Sequence, residues 1–213
     1  MTKKRTAGVA AAAALMVIVM PAVAKPKLPP CPPKGPQLFI SPMGEPFRAG
    51  PDDPYPVDRW FAQADKDHDG RLTQAEVVAD ADRFFAVLDE DKDGEIIPGE
   101  VIRYERDIAP EIRLYERKTM DRKAIKKLKD APAYGEPIGA GRWSFTNIPQ
   151  PVVAADTDFN RGVTLAEFRA AASERFTEIA KGGTPTLADL PMTPRQAAAV
   201  NCMVVPPPEE QPR

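Results

Sequence analysis

Apolar side chains recur at Val57, Trp60, Phe61 and Ala64, the i, i+3, i+4, i+7 spacing that places them on one face of a helix. A second stripe runs through Val77, Ala81, Phe84 or Phe85 and Leu88. A third runs through Val101, Tyr104 and Ile108 before Pro110 stops it. A last helical region begins near Leu165. Residues 25–56 differ, because eleven prolines exclude regular helix there and predict extended or polyproline-like chain. Within it Leu38, Phe39, Ile40, Phe47 and Tyr55 are expected to pack against the helical body. The pattern predicts an all-α fold with proline-rich extended tails.

The first 24 residues stand outside that fold. Lys3, Lys4 and Arg5 precede a 14-residue apolar run, residues 7–20, followed by Pro21 and the small-x-small sequence Ala22-Val23-Ala24, which is the layout of a secretory signal peptide. The run is shorter than the roughly 20 apolar residues that span a bilayer, so no stable membrane insertion is expected. Export to a periplasmic or extracellular space follows. Cys31 and Cys202, the two cysteines, then either pair as a disulfide or remain unpaired thiols, and an oxidising compartment favours the pair. A bridge closing so long a loop contributes on the order of 4–5 kcal/mol in the chain-entropy model.

Composition narrows the chemistry. The chain carries 29 basic and 31 acidic side chains, a balance that argues against a dedicated nucleic-acid binder. Removal of residues 1–24 takes away three of those basic groups and none of the acidic ones, leaving −5. The single histidine, His68, cannot build a multi-histidine metal site. Without a nucleophile motif or a glycine-rich phosphate loop, no enzyme activity is expected. The basic run containing Arg122, Lys123, Lys126, Lys127 and Lys129 reads as a solvated linker helix in preference to a contact for anionic lipid. The run Pro206-Pro207-Pro208 reads as an unstructured tail.

Two twelve-residue segments match D-x-[DN]-x-[DN]-G-x5-E at every constrained position. Loop 1 places Asp65, Asp67, Asp69, Gly70, Arg71, Thr73 and Glu76 at positions 1, 3, 5, 6, 7, 9 and 12. Loop 2 places Asp89, Asp91, Asp93, Gly94, Glu95, Ile97 and Glu100 there. A hard divalent cation such as Ca²⁺ takes six to eight oxygens, which a tight loop supplies from alternate carboxylates, one backbone carbonyl (Arg71 or Glu95) and a closing bidentate glutamate. The glycine at position 6 takes the left-handed turn this needs. Thr73 is suited to orient a ligand water, whereas Ile97 is not.

At these residues the sequence resembles the EF-hand superfamily, and Trp60-Phe61 and Phe84-Phe85 fit the aromatic-rich entering helices of that family. The resemblance implies helix-loop-helix repeats, Ca²⁺ as the ligand, and action as a sensor that gains a protein partner through a hydrophobic groove, or as a buffer. A structural or interaction protein of the cell envelope stabilised by Ca²⁺ is the alternative. A shift of 91 residues brings Asp65 onto Asp156 and reveals a third loop, with Asp156, Asp158, Asn160, Gly162, Thr164 and Glu167 at positions 1, 3, 5, 7, 9 and 12. Arg161 stands at position 6, so a weaker site is expected beside the two full ones. A fourth loop, residues 180–191, lacks ligands.

The resemblance further implies that loops pair through position 8, here Leu72, Ile96, Val163 and Leu187. Only twelve residues, 77–88, separate loops 1 and 2, enough for one shared helix about 18 Å long that holds them apart at its ends. Two loop-helix-loop units are therefore expected to pack antiparallel, loop 1 bridging loop 4 and loop 2 bridging loop 3. The organisation read from the chain is a signal peptide (1–24), a proline-rich segment (25–56), a first loop pair (57–110), a basic and Gly/Pro-rich connection (111–148), a degenerate second pair (149–192) and a tail (193–213).

Overall fold

The computed structural model describes residues 35–113 and 136–204, without the side chains of 201–204. All of them lie within the unit Cys31–Arg213. The expected signal peptide, the Cys31–Cys202 pairing, the basic run and the final prolines lie outside the described residues.

The proline-rich segment folds into a hairpin, which corrects the expectation of an all-α fold. Strands β1 (Gln37–Ile40) and β2 (Pro46–Ala49) pair antiparallel, with Phe39 opposite Phe47. Pro42 and Pro46 fall in the turn and at a strand start, where a missing N–H costs nothing, so the prolines shape the hairpin instead of preventing it. Alternation along β1 splits its side chains between two apolar clusters. Leu38 and Ile40 join Phe84, Leu88, Tyr104 and Phe168, while Phe39 joins Trp60, Phe61, Val77 and Phe176.

Helix α1 (Val57–Ala64) buries Trp60, Phe61 and Ala64 and runs directly into Asp65, whose N–H bonds the Phe61 carbonyl at 2.9 Å. Helix α2 (Gln74–Leu88) is the single helix that the short loop spacing predicts, and it buries Val77, Ala81, Phe84, Phe85 and Leu88. The two helices are tied by buried Asp80, which accepts from Trp60 Nε1 at 3.1 Å, Gln63 Nε2 at 3.0 Å and Arg83 Nε at 3.0 Å. Arg83 also pairs with Glu45 in the hairpin turn. Helix α3 (Pro98–Arg103) widens into one π-helical turn, Tyr104–Ile108, before Pro110 ends it.

Strand β3 (Glu95–Ile96) lies in loop 2 and β4 (Val163–Thr164) in loop 3. Helix α4 (Leu165–Ala180) follows β4 and packs on α2: Phe168 meets Phe85 with ring centroids 5.6 Å apart, and Arg169 meets Asp82 at 2.6 Å. Phe176, further along α4, shares a cluster with Val77 near the start of α2, so the two helices run antiparallel. Buried Arg175 forms no ion pair with a carboxylate among the described residues. Its guanidinium donates to the carbonyls of Pro42 and Pro151, each at 2.9 Å. Burial lowers its pKa to about 10, which leaves it charged at neutral pH. Residues 194–204, read from sequence as tail, form helix α5 behind an N-cap in which Thr193 and Gln196 bond each other's backbone N–H.

The cross-pairing is present at both ends of the helix pair, in unequal form. Loops 2 and 3 join as β3 and β4, with Ile96 opposite Val163 and Glu95 opposite Thr164. Loops 1 and 4 are joined by Leu72 N–H donating to the Pro185 carbonyl at 2.9 Å and by Arg71 reaching the Thr184 carbonyl at 3.3 Å. The expected opposition of Leu72 and Leu187 is not formed, and Leu187 remains 41% exposed. Pro185 explains the weaker join, since it has no N–H to return the second bond of an antiparallel pair.

Candidate metal centre

Each loop begins where a helical turn ends and finishes inside the next helix. Thr73 caps α2 by accepting the Glu76 N–H at 3.3 Å, while Glu76 Oε2 accepts the Thr73 N–H at 2.9 Å and its hydroxyl at 2.8 Å. Thr164 and Glu167 repeat these distances at the start of α4. In loop 2 the apolar Ile97 offers no hydroxyl, and Glu100 Oε2 takes only its N–H, at 3.0 Å. Thr73, read from sequence as orienting a water, thus points its hydroxyl at the closing glutamate. Capping chemistry was the signal that could have shown this.

The other glutamate oxygen reaches back across the loop. Glu76 Oε1 accepts the N–H of Lys66, and Glu167 Oε1 that of Thr157 at 3.0 Å, so position 12 is clamped to position 2. Desolvation tends to raise the Glu76 pKa, but the donors from Thr73, Lys66 and Asp67 outweigh it and hold the carboxyl below its usual range. The Thr164 N–H does the most to hold Glu167 down, at about 2, against desolvation and with help from the Thr164 hydroxyl and Thr157. Both are ionised at neutral pH.

The backbone repeats as well. Gly70 and Gly94 sit at φ 80° and 90°, and Arg161 takes the same left-handed turn at φ 79°. Position 4 is left-handed too, at His68, Lys92 and Phe159, with φ between 58° and 60°. The sequence motif does not constrain the residue at that position. Position 1 accepts the N–H of position 6 in loops 1, 2 and 3, at 3.0 Å: Gly70 to Asp65, Gly94 to Asp89 and Arg161 to Asp156. Position 5 accepts the N–H of position 7: Arg71 to Asp69 at 2.8 Å, Glu95 to Asp93 at 2.9 Å and Gly162 to Asn160 at 2.7 Å.

These constraints converge carboxylates. Asp65, Asp67 and Glu76 bring one oxygen each to within 4.8 Å of one another, as do Asp89, Asp91 and Glu100, and Asp156, Asp158 and Glu167. Asp69 and Asp93 fall outside these trios. Asp65 is only 5% exposed, and its Oδ1, like Asp156 Oδ1, is buried without a hydrogen-bond partner among the described residues. A buried carboxylate oxygen left unpaired costs several kcal/mol unless a cation or donor meets it. An all-oxygen set closing on such an atom has the chemistry of a hard divalent ion, so the residues fit Ca²⁺. Position 4 faces outward, with Phe159 87% exposed.

The turn entering loop 3 is short, a 3₁₀ segment over Val153–Ala155, because Pro149 and Pro151 block a longer helix before it. Loop 4 differs from the other three: α4 ends at Lys181 in the left-handed region, and Asp189 caps the Thr186 N–H and hydroxyl.

No curated protein and no solved structure matches the chain. A family model described as EF hand matches residues 57–78, which comprise α1, loop 1 and the first turn of α2. For loops 2 and 3 the likeness rests on the geometry they share with loop 1, and together the family match and the three carboxylate trios support calcium binding.

Proposed function

We propose that the chain is an exported calcium-binding protein, with full sites at loops 1 and 2 and a weaker third site at loop 3, acting as a sensor or a buffer and not as an enzyme. The observation that carries this reading is the buried, unpartnered Asp65 Oδ1 set beside Asp67 and Glu76, with the same arrangement recurring at Asp156. Charge supports it. Eleven acidic side chains occupy ligand positions in a chain of −5 after removal of residues 1–24, and three bound ions bring the total to +1.

A second reading, an interaction protein stabilised by calcium, is favoured by an open, largely apolar pocket of about 300 Å³ near loops 2 and 3, walled by Pro98, Val101, Ile102, Val153 and Val163 with Asp156 and Arg161 at its edge towards loop 3. Calorimetric titration with Ca²⁺ tests the first reading: binding of two tighter ions and one weaker is expected, with E76Q and E100Q each removing one tight ion. No heat and no change in Trp60 fluorescence at millimolar Ca²⁺ would sink it. A hydrophobic dye taken up on calcium addition supports a sensor with a partner surface. Binding without dye uptake supports a buffer or a structural ion.

A further inference from the structure

Loop 3 departs from loops 1 and 2 in charge as well as in its position-6 residue. Loops 1 and 2 each hold four carboxylates at ligand positions; loop 3 holds three, because Asn160 replaces an aspartate, and adds the cation of Arg161. The neighbouring loop sets a carboxylate against loop 3. Glu95 is position 7 of loop 2, paired across the ladder with Thr164, and its carboxylate crosses diagonally onto Gly162, position 7 of loop 3. The contact is close enough that a methyl group added to Gly162 would overlap Glu95 Oε1. Gly162 has an ordinary backbone conformation, so glycine there serves the close approach of that carboxylate and not a left-handed turn.

We propose that Glu95 serves two ion sites: its backbone carbonyl belongs to loop 2, while its side-chain carboxylate supplies loop 3 with the fourth negative charge and offsets Arg161. The inference rests on the calcium reading above. A unit charge held against a residue of the loop acts on a divalent ion in that loop over a distance comparable to the Debye length at physiological salt, so its removal is felt at the site. Glu95 acts as a positioning and charge-supplying residue and is not counted as a third-site ligand. The arrangement also makes loop 3 depend on loop 2 through one side chain in addition to the β3–β4 ladder.

The test compares calcium titrations of the full chain with those of E95Q, R161Q and E167Q, with thermal unfolding in EDTA as a check on folding. E95Q keeps the backbone carbonyl of loop 2 and removes only the charge. E167Q identifies the binding step that belongs to loop 3. The expected result is about ten-fold weaker binding in that step for E95Q, a larger change than in either of the other two steps, and a difference that shrinks in high salt. R161Q is expected to tighten the same step. E95D, which keeps the charge but withdraws it from Gly162, should fall between E95Q and the parent, and it carries the comparison if E95Q unfolds. Equal third-step affinity in the parent and E95Q overturns the proposal. A parent that binds two ions, with E167Q silent, overturns it too while leaving calcium binding at loops 1 and 2 intact. A parent that binds none defeats the functional reading itself.

Discussion

Thr164 places one hydroxyl between two tasks, capping α4 through the Glu167 N–H and holding the Glu167 carboxylate for the loop. Glu167 titrates near 2 in the folded chain against an ordinary value of 4.5, so in metal-free protein its contribution is complete above about pH 4.5 and is lost as pH falls towards 2. T164A removes the hydroxyl donor and acceptor. It is expected to cost about 1 kcal/mol of metal-free stability at neutral pH and to move the acid loss upward in pH, as measured by urea unfolding in EDTA from pH 2 to 7. The ligand residues were legible because their spacing is local: positions 1 to 12 meet within one loop whatever the remainder of the chain does. Arg175 was not legible. Its spacing sets it on the apolar face with Phe168, Ala171, Ala172 and Ile179, where a charged side chain is not expected, and only the arrival of the Pro42 and Pro151 carbonyls makes its burial tolerable.

Between elements, the interface that decides the architecture is α2 against α4. Phe168 is fully buried against Phe85, midway between the apolar stripes of the two halves. F168A is expected to lose about 3–5 kcal/mol, a large share of a small domain's stability, with the loss read as a lower urea midpoint in both EDTA and calcium. The helical stripe of α2 and its length were readable from apolar spacing and from the twelve residues between loops. That loops 1 and 2 would not bridge each other followed from the stiffness of that helix, whereas the partner each end meets is set by the antiparallel packing of α2 on α4. The uneven quality of the two joins was missed, although its cause, Pro185, stands in the sequence. A proline weakens a ladder only if it falls on the paired residue, and that register is set by the packing of loop 4 on loop 1.

For the whole molecule, the hairpin at 37–49 spans the two apolar clusters, as α2 and α4 also do, since successive residues of β1 enter different ones. Deleting residues 35–50 leaves both clusters open where Phe39 and Ile40 had been fully buried. The shortened chain is expected to lose cooperative thermal unfolding and to bind hydrophobic dye without calcium, and a sharp transition like that of the parent would contradict this role. Proline content led the sequence reading to extended chain, because a strand of four residues among prolines is stabilised by what it packs on and not by its own propensity. The same holds for Glu95 and Gly162, nearly 70 residues apart in the chain. The sequence by itself determined the carboxylate trios and the helical faces, both of which depend on spacings of a dozen residues or fewer. The tertiary structure decided the loop partners, the hairpin that bridges the clusters, the buried cation and the carboxylate shared between two loops, because these contacts exist only when distant segments are brought together.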